Sequence, residues 1–142
     1  MDTTIYYVVG FLFSEDRTKV ALITKNKPEW QKGLLNGVGG KIEQNEKAID
    51  AMVREFQEET GVLLDTKDWR QYLWLSKLNK WHITIYKSFN NKIFDVKTTT
   101  SEEIAIYNIS DLLTLKTISN IPWLIYMALD ENFDGMGNLY YR

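Results

Sequence analysis

The 142-residue chain contains no cysteine. That removes disulfides, thiol nucleophiles and zinc–thiolate sites together. It holds a single histidine, His82, so no histidine cluster can build a metal site. Within Trp81-His82-Ile83-Thr84-Ile85 this ring reads as a packing or surface residue. No charge sign dominates: the net charge of −2 provides no general field for nucleic acid, which is not expected as a partner. No hydrophobic run is long either. Thr117 to Leu129, the longest uncharged apolar stretch, is too short to span a bilayer and contains Pro122. The start, MDTTIYY, lacks the basic lead and apolar core of a signal peptide. The expectation is a single domain over 1–142, cytoplasmic, away from membranes, and a monomer or homodimer.

What is present fits one compact core: 44% of residues are hydrophobic and 13% aromatic. Ile5 to Phe13 is rich in β-branched and aromatic residues and reads as a buried strand. The polar turn Ser14 to Thr18 leads to a second strand, Val20 to Thr24, giving a hairpin. Lys25 to Lys32 is a polar loop carrying Pro28 and Trp30. Tyr72 to Leu78 and Trp81 to Phe89 read as strands around a tight turn at Asn79-Lys80. Asn90 to Thr100 is expected to be an exposed loop, and Glu103 to Ile109 a further strand. Ser110-Asp111 is a helix start. Asn120 can cap a last helix, with Pro122 in its first turn and Trp123, Tyr126, Met127 and Leu129 packing inward. The structure of the aromatic tail Gly135 to Arg142 is left open.

The most informative stretch is Gly40 to Val62, GKIEQNEKAIDAMVREFQEETGV. Six carboxylates lie between Glu43 and Glu59. A helix over Lys47 to Glu59 places Ile49, Met52, Val53 and Phe56 on one apolar face. Glu55, Glu58 and Glu59 are then neighbours on the opposite side, where like charges destabilise an isolated helix. A hard divalent cation held by carboxylate oxygens supplies a reason for them. Arg54 adds a fixed positive charge beside the cluster, and Gly61 suits the left-handed residue that closes a helix. Gly33, Gly37, Gly39 and Gly40 crowd the approach to this helix. They are expected to permit positive φ and close backbone contact with a ligand.

The spacing Gly40, five residues, Glu46, seven residues, then Arg54-Glu55-Phe56-Gln57-Glu58-Glu59-Thr60-Gly61-Val62 resembles the Nudix box at all its polar and glycine positions. Phe56 fills a slot where an aliphatic residue is more usual. The resemblance implies an α/β fold, an α/β/α sandwich with a mixed β-sheet and a loop-helix-loop catalytic element. It also implies hydrolysis of a nucleoside diphosphate linked to a group X. On that basis Glu55 and Glu59 are expected as principal metal ligands, Glu58 as ligand or base, and the carbonyl of Gly39 as a further ligand. Gly40, Glu46, Arg54 and Gly61 hold the element together, and Lys41 contacts phosphate. A later carboxylate is expected from Glu102 or Glu103, only one of which can reach the metal from a strand. Glu103 is preferred. The expected ion is Mg²⁺, with Mn²⁺ as the alternative.

The box leaves the substrate open. The region about fifteen residues beyond it reads Ser76-Lys77-Leu78-Asn79. It lacks the proline associated with ADP-ribose hydrolysis and the tyrosine associated with dinucleoside polyphosphates. Leu34-Leu35-Asn36-Gly37-Val38-Gly39-Gly40-Lys41 resembles the MutT-type triphosphatases that remove oxidised purines, where Asn36 and Asn120 match purine-reading positions. An amide donates and accepts together, as an oxidised guanine edge requires. The alternative for Asn120 is a plain helix cap. The expected substrate is a small-molecule nucleotide, with 8-oxo-dGTP favoured. Alternatives are a nucleotide sugar, ADP-ribose, a dinucleoside polyphosphate, a capped RNA end, or a nucleotide-sensing domain without turnover. Trp30, flanked by a glycine-rich loop, has the best claim among the tryptophans to touch a ligand.

Overall fold

The computed structural model describes residues 2–133 and 137–142. Of the tail, Gly135 and Met136 lie outside that range. Among the described residues, eight strands form one mixed sheet between two helices. In chain order they are β1 (Ile5–Phe13), β2 (Lys19–Thr24), β3 (Leu35–Asn36), β4 (Val38–Lys41), β5 (Arg70–Lys77), β6 (Trp81–Phe89), β7 (Ile104–Asn108) and β8 (Gly137–Tyr141). The helices are α1 (Ala48–Thr60), between β4 and β5, and α2 (Ile121–Leu129), between β7 and β8. The strand order is β3-β2-β1-β6-β5-β8, with β4 added on β1 and β7 on β2.

The expected hairpin is looser than its sequence implies. β1 and β2 pair in register only at Phe13 and Val20. The rest of that edge of β1 pairs with β4, from Tyr7↔Lys41 to Gly10↔Val38. The other edge runs parallel to β6 over its full length, from Ile5↔Trp81 to Phe13↔Phe89. This central strand therefore carries the backbone of the glycine loop on one side.

Alternation along β1 divides the core. Val8 and Leu12 face α1, packing with Met52, Phe56, Leu64 and Trp69, all buried. Phe11 and Phe13 face α2, packing with Leu124, Ile125 and Ala128. Phe56 occupies its unusual slot because its ring meets Trp69 edge-on at 5.1 Å. A bulky aromatic fills the gap between helix and sheet that an aliphatic residue would leave.

Three expectations change. In α2 the buried residues are Ile121, Leu124, Ile125 and Ala128, while Trp123 and Tyr126 are exposed. Met127 and Leu129 are half-buried against the core. The inward face runs two residues out of phase with the expected one, since nearly every residue of the helix is apolar and spacing alone does not rank them. The segment after β6 is not wholly exposed: Asn91–Asp95 forms a 3-10 turn that buries Ile93 completely. Ser110-Asp111 lies in another 3-10 turn, Ile109–Thr114, rather than opening an α-helix.

Candidate active site

Helix α1 runs one residue later than the expected Lys47 to Glu59 and ends on Gly61, whose φ of 76° places it in the left-handed region. The Gly61 amide donates to the Gln57 carbonyl at 2.8 Å and closes the last turn. The end of α1 is thus fixed where its acidic residues lie.

Arg54 organises that end. Its Nε and Nη2 donate to the two oxygens of Glu46 at 2.8 and 2.9 Å, a bidentate pair. Nη1 donates to Glu55 at 2.9 Å and to Glu58 at 3.3 Å, and Nη2 reaches the Lys41 carbonyl at 3.1 Å. Glu46 in turn accepts from the Glu43 amide at 3.0 Å. One guanidinium therefore binds the loop before α1, the end of β4 and the helix itself. The Arg54 hydrogen bond holds the Glu46 carboxyl below the ordinary range, with burial opposing.

Glu55 has the opposite environment. Its side chain is only 13% exposed, and this desolvation pushes its pKa up despite Arg54; Glu58 and Glu59 push the same way. A Cβ on Gly40 would fall 2.5 to 2.7 Å from the Glu55 carboxyl atoms. Glycine is needed here for proximity, not for backbone freedom. Among the described glycines only Gly33 and Gly61 have positive φ, so Gly37, Gly39 and Gly40 do not serve the conformational role expected of them. Gly39 is tighter still, since a Cβ there would lie 1.8 Å from the Val8 carbonyl oxygen.

Four carboxylates, Glu43, Glu46, Glu55 and Glu58, stand around a single guanidinium, and Glu59 follows Glu58 on the same helix. The excess negative charge and the buried Glu55 carboxylate fit a hard cation. Among the described residues no three acidic or histidine side chains converge enough to cage a metal by themselves. Mg²⁺ does not need such a cage: it commonly keeps several waters and takes one or two carboxylates together with substrate phosphates.

The other expected residues divide. Glu102 is buried, accepting from the Asn26 amide at 2.6 Å and pairing with Lys25 at 3.2 Å. Burial raises its pKa, but the Asn26 amide and Lys25 outweigh it and the net shift is downward. Glu103 is exposed beside it. Lys41 is exposed, with its carbonyl used by Arg54. Asn36 turns back on its own loop, its Oδ1 accepting from the Gly37 amide at 2.7 Å. Asn120 stands at the N-terminus of α2 without a side-chain capping bond. Its Nδ2 donates instead to Tyr141 Oη of β8 at 3.3 Å, and the Tyr141 ring lies 5.3 Å from that of Trp81. Trp30 is 67% exposed. Thr100, which donates to Glu59 Oε2 at 3.1 Å, is the contact that sequence reading missed. Its one signal was the threonine run Thr98-Thr99-Thr100 just before Glu102-Glu103.

An acid-rich helix end held against glycine backbone suits the cleavage of a charged anhydride, and the class is that of the pyrophosphohydrolases. Comparison with known proteins gives the family: residues 5–124 match the NUDIX domain. The chain belongs to the Nudix family and hydrolyses a nucleoside diphosphate linked to a further group. Its fold is similar to that of a MutT described from Aliivibrio salmonicida and Vibrio cholerae, at 18% identity and a TM-score of 0.72, covering 86% of this chain and 96% of that one. The MutT protein of Bacillus halodurans is similar at 18% identity and 0.73, covering 96% and 90%. The Nudix domain of Shewanella oneidensis NrtR, solved with ADP ribose, is similar at 16% identity and 0.73, covering 93% and 90%. No curated protein sequence matches the chain. Among the described residues no helix is long and apolar enough to cross a membrane.

Proposed function

We propose that the chain is a Mg²⁺-dependent nucleoside triphosphate pyrophosphohydrolase, releasing nucleoside monophosphate and pyrophosphate, with an oxidised purine nucleotide such as 8-oxo-dGTP preferred. The observation that carries the metal chemistry is the Arg54-centred cluster, with Glu55 desolvated against Gly40 and Glu58 and Glu59 on the next turn. Bound there, a divalent ion neutralises phosphate charge and acidifies a water. Glu55 and Glu59 are its proposed protein ligands, with the Gly39 carbonyl and Glu103 as further donors. Glu58, 57% exposed at its side chain, can act as a ligand or accept a proton. Lys41 contacts phosphate.

The base preference rests on the asparagines. Asn120 lacks a capping bond and sits beside an aromatic pair, which favours base recognition over a cap. Asn36 leaves its NH₂ group for a purine edge. ADP-ribose is the second reading, supported by the likeness to the NrtR domain. Against it stands Ser76-Lys77-Leu78-Asn79, with no proline at the distance associated with that substrate.

The test is a panel of canonical and oxidised nucleotides, ADP-ribose and dinucleoside polyphosphates with Mg²⁺, scored for pyrophosphate against orthophosphate. Pyrophosphate release, fastest from 8-oxo-dGTP, is expected; preference for ADP-ribose would overturn the triphosphatase reading. Glu59→Gln should lower kcat by at least about 10²-fold. Asn120→Ala should erode the ratio of oxidised to normal dGTP by about 10-fold, and an equal loss on both would refute the base contact.

A further inference from the structure

Between the 3-10 turn Asn91–Asp95 and β7, residues 97–102 lie across the end of α1. The Lys97 amide donates to the Thr60 carbonyl at 3.0 Å, and the Thr99 hydroxyl donates to the Glu58 carbonyl. These bonds satisfy carbonyls that a helix end leaves without partners. Thr98 serves the strap itself, its hydroxyl accepting from the Ile104 amide at 3.2 Å.

Thr100 differs because its hydroxyl ends on a carboxylate. Oγ1 accepts from the Glu102 amide at 3.1 Å and donates to Glu59 Oε2 at 3.1 Å. A hydroxyl has one proton to give, and its other acceptor, the Glu102 carbonyl, is more distant at 3.4 Å. The hydroxyl is itself held. The Glu102 carboxylate is tied to the Asn26 amide at 2.6 Å and to Lys25 at 3.2 Å, just past the end of β2. A continuous path thus leads from the sheet through Glu102 and Thr100 to Glu59.

We propose that Thr100 is a positioning residue for the metal site: its hydroxyl fixes the Glu59 carboxylate before the ion arrives. A free glutamate must surrender rotamer freedom on coordinating a metal. A donor already bound to one oxygen removes much of that loss and sets the plane of the carboxylate. The inference rests on the reading of Glu59 as a metal ligand.

Mn²⁺ binding to the full chain, followed by the electron paramagnetic resonance of the free ion, tests both ideas without turnover. Glu59→Gln should show the largest loss of affinity. Thr100→Val should raise the Mn²⁺ Kd by about 10-fold, within the range for lost partners of metal ligands. Thr100→Ser keeps the hydroxyl and should stay within about 2-fold of the parent. Thr99→Val removes only a helix-end bond, so it should lower Tm and leave the Kd unchanged. If Thr100→Val does not fold, Thr100→Ala is read in its place.

Parental affinity in Thr100→Val, with loss in Glu59→Gln, would overturn the positioning role and leave Glu59 a ligand. Equal losses in Thr99→Val and Thr100→Val, or no recovery in Thr100→Ser, would also overturn it. Parental affinity in Glu59→Gln would remove the ligand reading, and the inference with it.

Discussion

At the scale of single residues, two adjacent glycines serve different neighbours. A methyl group on Gly39 meets the Val8 carbonyl at 1.8 Å, a backbone atom of the central strand that cannot withdraw without breaking the β1–β4 pairing. On Gly40 it meets the end of the Glu55 side chain, which can swing away at the expense of its place in the site. Gly39→Ala should therefore act on folding, with a loss at or beyond the upper end of the roughly 1–3 kcal/mol usual for overpacking. Gly40→Ala should fold with a nearly parental urea midpoint yet lose most of its activity. Thermal or urea unfolding beside steady-state kinetics separates the two. A folded, active Gly39→Ala would mean that the strand relaxes more easily than its pairing implies.

At the scale of the element, α1 and its flanking loops behave as one unit because Arg54 reaches all three parts. Glu46 lies before the helix, Glu55 and Glu58 on it, and the Lys41 carbonyl at the end of β4. Lysine keeps the charge but cannot form the two-pronged bond to Glu46 and also span to Lys41. Arg54→Lys should cost about 2 kcal/mol, the range for hydrogen bonds to charged groups, seen as a lower urea midpoint with an unchanged slope. An unchanged midpoint would mean that water replaces these bonds at no cost. The helix itself was readable from spacing, within one residue at each end, because its apolar face repeats and Gly61 stops it. The inward face of α2 was not, because nearly every residue of Ile121–Leu129 is apolar and spacing alone cannot rank them.

At the scale of the molecule, the proposed metal site makes stability depend on the ion. Any ion that binds the folded chain alone stabilises it by mass action. Mg²⁺ or Mn²⁺ at about 100 times its Kd should add about 2.7 kcal/mol, raising Tm by roughly 5–10 °C for a chain of this size. Glu59→Gln should lose most of that increase. A parental chain whose Tm ignores both ions would contradict the metal site outright.

The family was legible in sequence because its signature is local. Glu46, Arg54, Glu55, Glu58, Glu59 and Gly61 all lie within one short stretch, where helical spacing places acids on one face and the left-handed glycine at its end. The sandwich followed from the resemblance to which those residues belong. The tertiary structure decided what depends on distant chain. The parallel pairing of Ile5 with Trp81, the burial of Ile93, the tie from Glu102 to Lys25 and the bond from Thr100 to Glu59 join segments tens of residues apart. No local periodicity records such pairings, because they are chosen by how the whole sheet packs. Even Gly40 illustrates the division: its sequence position marked it as part of the site, but only the fold showed that the missing side chain makes room for Glu55.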